Sequence, residues 1–180
     1  MQRTFKYLCL TILTTVLFIS CGDGVSLQRY YVENQENANF ISQDFPISML
    51  KIDKSSFTDA QQEAYNSVQK LNFLGFNASK DNIENYTAEI TKVKSILSHE
   101  KYNDLMEVSD KGRKIMVKYI GEDDAADEVV VFATDKNMGF GIVRVLGNDM
   151  NPEKIGVLIN SLQNADFDGA QIENIMNFFK

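Results

Sequence analysis

The chain has 180 residues, with 25 acidic against 18 basic and a net charge of −7. That balance argues against nucleic acid as a partner, because phosphate binding needs a basic face, and against adhesion to anionic lipid through charge alone. With one histidine, His99, and two cysteines, Cys9 and Cys21, a His-rich metal site is excluded and no nucleophile–histidine relay is marked by a motif.

Residues 1–20 read as a signal peptide. Arg3 and Lys6 make a basic start, Tyr7–Ile19 an apolar or neutral run, and small Ser20 precedes Cys21. The run is 13 residues long, short of the roughly 20 needed to span a bilayer. Leu17-Phe18-Ile19-Ser20-Cys21 matches a lipobox. In such a signal the cysteine thiol takes a diacylglyceryl group, the peptide is cut before it, and the new amine is acylated. Cys21 is therefore the predicted lipidation site, and several chains on one residue give stable anchoring where a single chain is marginal. Cys9 leaves with the signal, so the mature domain is expected to hold neither a disulfide nor a free thiol.

Residues 21–37 read as the lipidated N-terminus and a polar tether, interrupted by Tyr30-Tyr31-Val32. Its flexible reach is on the order of 20 Å; the tyrosines dock on the domain, the favoured reading, or sit in the headgroup layer, and Arg29 offers trypsin a cut. Residues 38–180 make a single globular domain, long enough to bury a core. Phe40–Ile47 predicts a first strand, which Pro46 pushes to an edge. Thr58-Asp59-Ala60-Gln61 is a capping-box pattern opening a helix to about Lys70, and Leu71–Phe76 predicts a strand. A second helix opens at Asp81-Asn82-Ile83-Glu84, with Ile83, Tyr86, Ile90, Val93 and Leu97 on one face. Tyr102–Met106 reads as a further helical turn. Lys114–Ile120, Val129–Ala133 and Phe140–Leu146 predict three strands, joined by the turn-rich Gly121–Asp127 and Asp135–Gly139 into an antiparallel meander. Asn151-Pro152 caps a helix carrying Ile155, Leu158, Ile159 and Leu162. Asp168-Gly169-Ala170-Gln171 opens a last helix with Ile172, Ile175, Met176 and Phe179. This order predicts a two-layer α+β domain, a mostly antiparallel sheet with helices packed on one face.

Candidate chemistry is sparse. His99 follows a helix end, where a cation favours the dipole. Asn164–Gly169 resembles the opening of a calcium loop, which makes Asp166 and Asp168 weak metal candidates. The bidentate Glu of such a loop is missing, because Ile175 stands at its position, and Asp168 serves equally as a helix N-cap. Glu122-Asp123-Asp124 with Asp127-Glu128 is the densest acidic cluster; its oxygens could hold a hard cation, but it reads rather as a solvated hairpin tip. Gly139-Phe140-Gly141 lacks the lysine and helix of a phosphate loop. No catalytic residue, metal or cofactor is assigned.

Four stretches carry a resemblance: Tyr102–Val108, Ile115–Tyr119, Asp127–Phe132 and Gly139–Gly147, with Met150–Ile155 closing the pattern. Together with Phe40–Leu50 they resemble the domain-of-unknown-function 4252 family of small Gram-negative lipoproteins, over roughly Ala38 to Leu162. The resemblance implies an outer-membrane lipoprotein without assigned activity. Members encoded beside extracytoplasmic sigma factors suggest a link to envelope signalling. The expected function is a non-catalytic, lipid-anchored module that contacts the membrane through acyl chains on Cys21 and binds another envelope protein. The alternative is a periplasmic carrier of a small ligand or cation; a hydrolase built on paired carboxylates is a third reading. The stretch Gly22-Asp23-Gly24-Val25 after Cys21 holds a single acid, a weak signal for surface export, so the periplasmic face is favoured over the cell surface.

Overall fold

The computed structural model describes residues 26–50, 52–79, 81–110, 112–162 and 170–179. The signal, Cys21 and the calcium-loop candidates Asp166 and Asp168 lie outside the described residues. In chain order the elements are α1 (Leu27–Asn34), β1 (Phe40–Pro46), a 3₁₀ turn (Ile47–Met49), α2 (Asp59–Ser67), β2 (Val68–Asn77) and α3 (Ile83–Leu97). They continue with β3 (Asn103–Asp110), β4 (Arg113–Gly121), β5 (Ala126–Asp135), β6 (Gly139–Met150), α4 (Pro152–Leu162) and α5 (Ala170–Phe178). The six strands form one antiparallel sheet in the order β1-β2-β6-β5-β4-β3.

Local chemistry sets several of these elements. Both halves of the capping box at the start of α2 are made, Thr58 Oγ1 accepting from Gln61 N–H and Gln61 Oε1 accepting from Thr58 N–H. Asn151 Oδ1 accepts from Lys154 N–H ahead of the Pro152 that opens α4. The β5–β6 hairpin turns at Gly139, whose φ is +125° and where a Cβ would lie 1.9 Å from the Phe76 carbonyl oxygen. No side chain fits there.

The α+β class and the antiparallel meander are as expected, but the helices cover both faces of the sheet rather than one. Alternate residues of a strand point to opposite faces. Phe132 and Ile142 share a buried cluster with Leu27 and Tyr30 of α1 and Val93 and Leu97 of α3. Val129 and Val145 share the other cluster with Ala64 and Tyr65 of α2 and Ile155 and Leu158 of α4. We call these the α3 face and the α4 face. The near-continuous apolar runs of β5 and β6 have this arrangement as their cause, since a strand buried on both sides loses its polar alternation.

Three further expectations are corrected. First, Leu27–Asn34, read as tether, is a helix that belongs to the domain: Ser26 caps it, and Leu27, Tyr30 and Tyr31 are buried at i, i+3 and i+4. Eight residues are too few to hold a helix in water alone; docking stabilises it. Arg29 thus lies in a helical turn, paired with Glu33 at 3.1 Å, and not in an open tether. The docking of Tyr30 and Tyr31 is as expected. Second, Tyr102–Met106 leads into edge strand β3. The register shifts between Asp104 and Met106, so a bulge sets Leu105 and Met106 side by side and imitates helical spacing. Third, in the α3 stripe Tyr86, Val93 and Leu97 are buried and Ile90 half-buried, but Ile83 is exposed, and Ile96 takes a place in the core instead.

Candidate functional site

The α4 face carries a cavity of about 300 Å³. Its floor is Leu71 of β2, Val143 and Val145 of β6, Val131 of β5 and Ile115 of β4; its walls are Ile155, Leu158 and Ile159 of α4 and Ile47 and Leu50 after β1. The floor exists because pairing brings these side chains into register: Val143 lies opposite Val131, and Leu71 and Val129 flank Val145. Among the described residues the helices part above it. Helix α4 packs against α2, β3 and β5, whereas α5 lies against β1 at the far side. There the Phe179 ring meets Phe73 with centroids 6.4 Å apart, and the Asn77 side-chain amide donates to the Phe178 carbonyl. Val131, Val143 and Ile115 are left partly exposed in between. Every described lining residue is aliphatic. Such a site can desolvate and hold an apolar group; its described walls offer no acid, base or nucleophile.

The α3 face carries the opposite kind of feature. Strand pairing aligns Asp44, Asn72, Arg144, Val130, Lys118 and Asp104 in one row across all six strands. Glu128, one position along on that face, takes both hydrogen bonds of the Arg144 guanidinium at 2.7 Å, with each residue about nine-tenths buried. Burial pulls the Arg144 pKa down and the Glu128 carboxylate more than reverses it, so the net shift is upward. Lys118 Nζ donates to the Tyr102 carbonyl at 3.2 Å and pairs with Asp104 at 2.7 Å.

Helix α1 closes over this row. Tyr31 Oη donates to Asp44 at 2.5 Å, Tyr30 Oη to Glu89 at 2.7 Å, and the Leu27 N–H to Tyr102 Oη at 3.2 Å. Burial, then the hydrogen bond to the carboxylate, pushes both the Tyr30 and Tyr31 phenols well above their usual pKa. Among the described residues no buried side-chain polar atom lacks a partner. Asp44 of the row, with Glu89 of α3 and Tyr102, thus fixes α1, whose N-cap Ser26 is the first described residue.

The residues singled out in the sequence do not converge. His99 sits exposed in the turn after α3, its Nδ1 accepting from Lys101 N–H at 3.4 Å. The acidic cluster is divided: Glu122, Asp123 and Asp124 are exposed at the β4–β5 turn, Asp123 accepting from Tyr119 Oη at 2.6 Å, whereas Glu128 points inward to Arg144. In Gly139-Phe140-Gly141 the first glycine makes the hairpin and Phe140 stacks on Phe76 with centroids 5.4 Å apart. Among the described residues no group of three or more His, Cys, Asp and Glu is placed to hold a metal ion. From the sequence, Ile155, Leu158 and Ile159 read as the core face of a helix and the floor residues as strand positions, none of them as a site. The signal for them was present in the apolar run Val129–Ala133 and in Phe140–Leu146, apolar but for Arg144 and Gly141, which demand cover on both faces.

The fold and its cavity define a small α+β domain with an open six-stranded antiparallel sheet and one apolar face that the described residues cover incompletely. The family model described as "Domain of unknown function (DUF4252)" matches residues 30–158, and the chain belongs to that family. The match begins inside α1 and ends in α4, so it takes in both faces and all cavity residues except Ile159. No curated protein and no solved structure matches the chain. Among the described residues no helix is long and apolar enough to cross a membrane.

Proposed function

We propose that the protein is a non-catalytic binding module of the cell envelope, anchored to the outer membrane by acyl chains on Cys21. The domain faces the periplasm and receives an apolar group of an envelope partner or ligand on its α4 face. The observation that carries this reading is the cavity. An aliphatic pocket contributes binding free energy only through desolvation and packing. Burying roughly 200 Å² of apolar ligand surface contributes about 5 kcal/mol before the cost of association is met. That is the range of weak, exchangeable binding.

The docking of α1 supports the anchor. With the helix beginning at Leu27, only residues 22–26 separate the domain from Cys21, and five extended residues reach at most about 18 Å. Anchoring at Cys21 then holds the domain against the bilayer surface, among lipids and lipid-bound proteins.

The test places a photocrosslinking residue at Val108, which is exposed on edge strand β3 beside Ile115, and a control at exposed Thr91 on α3. In intact cells a discrete adduct is expected from Val108 and not from Thr91. Equal adducts at both positions, or none at Val108, would refute the assignment of the binding face.

A further inference from the structure

Resting on the anchored-module reading, we infer that α1 is a releasable strap. It undocks and unwinds as a unit while the rest of the domain stays folded, and so switches the chain between anchor and domain from a short form to a long one. The surface beneath it carries the argument. From Tyr31, bonded to Asp44 on β1, to Leu27, bonded to Tyr102 just before β3, the helix crosses the sheet. Along that crossing the strands present Asp44, Asn72, Arg144, Val130 and Lys118, with Glu128 beside them; Val130 alone is apolar. Under α3 the same face is aromatic, with the Phe76 and Phe140 rings centred 6.3 Å from that of Tyr86. Charges are costly to bury, so a helix that never lifts favours an apolar floor, whereas a charged floor suits a surface that meets water. This floor also needs little from α1. Arg144 and Glu128 bond each other, and Lys118 bonds Asp104 and the Tyr102 carbonyl. Leu27, Tyr30 and Tyr31 are the buried side chains of α1, and the bonds those residues make end on the Asp44 and Glu89 carboxylates and the Tyr102 hydroxyl, groups that water can satisfy instead. The helix takes no part in the strand ladder, which begins at Phe40. Eight residues do not hold a helix alone, so undocking is also unwinding. Released, residues 22–39 reach at most about 65 Å, against about 18 Å for residues 22–26 with α1 docked.

The test uses the chain from Cys21 onward, with Cys21 unmodified, which carries every described element. Native-state hydrogen exchange reads the release. The Tyr30 and Gln35 amides, bonded to the Ser26 and Tyr31 carbonyls, are expected to be protected, but at least a hundred-fold less than the Val130 and Phe132 amides of β5. Low urea should leave the α1 rates unchanged while the β5 rates rise, since a local opening exposes little surface. Val129→Ala, on the opposite face of the sheet, should lower β5 protection at least ten-fold and leave α1 protection as it was; should that variant not fold, the urea dependence of the unaltered chain decides. Leu27→Ala with Tyr31→Ala should free the strap from a sheet that stays folded, and spin labels on Cys21 and on Thr91→Cys should then report a longer and broader distance. Equal protection of α1 and β5, no protection of α1 at all, a joint loss in Val129→Ala, or collapse of the whole domain when α1 is freed overturns the inference. Those outcomes are read on the unanchored chain, whereas failure of the anchored-module reading shows separately, in the Val108 crosslink and in the processing at Cys21.

Discussion

Arg144→Met probes the buried ion pair on the α3 face. Arg144 and Glu128 are each about nine-tenths buried and share two hydrogen bonds at 2.7 Å. Removing the guanidinium strands the Glu128 carboxylate in a place largely shielded from water. Breaking one side of a buried pair costs about 3–5 kcal/mol, against the 0–1 kcal/mol of an exposed pair. For a domain of this size each kcal/mol moves the melting temperature by roughly 2–4 °C, so the variant should melt roughly 6–20 °C lower. Urea titration should show the midpoint falling with little change in slope. The double variant Glu128→Gln with Arg144→Met removes the stranded charge, and a buried pair replaced as a unit is often neutral; it should recover at least half of the loss. A cost below about 1 kcal/mol for Arg144→Met, or a double variant worse than the sum of the singles, would show that the pair is solvated and that the reasoning from burial is wrong.

Three other outcomes are expected. Leu97→Ala on α3, where the side chain is 1% exposed, should cost about 2–5 kcal/mol, while Ile83→Ala at the exposed end of the same stripe should stay within about 0.5 kcal/mol; equal losses in chemical denaturation would contradict the observed burial. Stability should decline as pH rises above about 10, because Tyr30 and Tyr31 keep their protons in the fold while the unfolded phenols ionise near 10. The raised folded pKa makes that contribution complete below the unfolded value and lost above it, at up to about 1.4 kcal/mol per pH unit for each tyrosine; the double variant Tyr30→Phe with Tyr31→Phe should flatten the alkaline decline, and an unchanged slope refutes the assignment. Cys21→Ala should leave an uncleaved precursor in the membrane fraction, and normal processing with an unchanged mature mass would remove the lipoprotein reading.

Features generated by neighbours in sequence were legible in sequence. Thr58 and Gln61 cap a helix from three residues apart, Asn151 and Pro152 open one, and Tyr86, Val93 and Leu97 repeat at helical steps. The β4–β5–β6 meander follows from short turns between apolar runs, for a hairpin needs only local closure. Membership of the family lay in the same hydrophobic and turn pattern. Some signals were present but outweighed: Ser26, Leu27, Tyr30 and Tyr31 have the spacing of a capped helix, yet polar flanks on both sides read as tether, and only docking makes so short a helix persist. Leu105 and Met106 misled because a bulge breaks the period-two rule from which strands are recognised.

What the tertiary structure alone decided is everything built across strands. Strand β2 lies between β1 and β6, so Asn72 meets Asp44 on one side and Arg144 on the other. No local pattern announces a row assembled from residues so far apart. The cavity is of the same kind, since among the described residues it depends on where α4 and α5 part over one face while α1 and α3 close the other. Local periodicity says which residues seek burial; long-range pairing and the spacing of the layers decide which of them find a partner side chain and which are left lining a space.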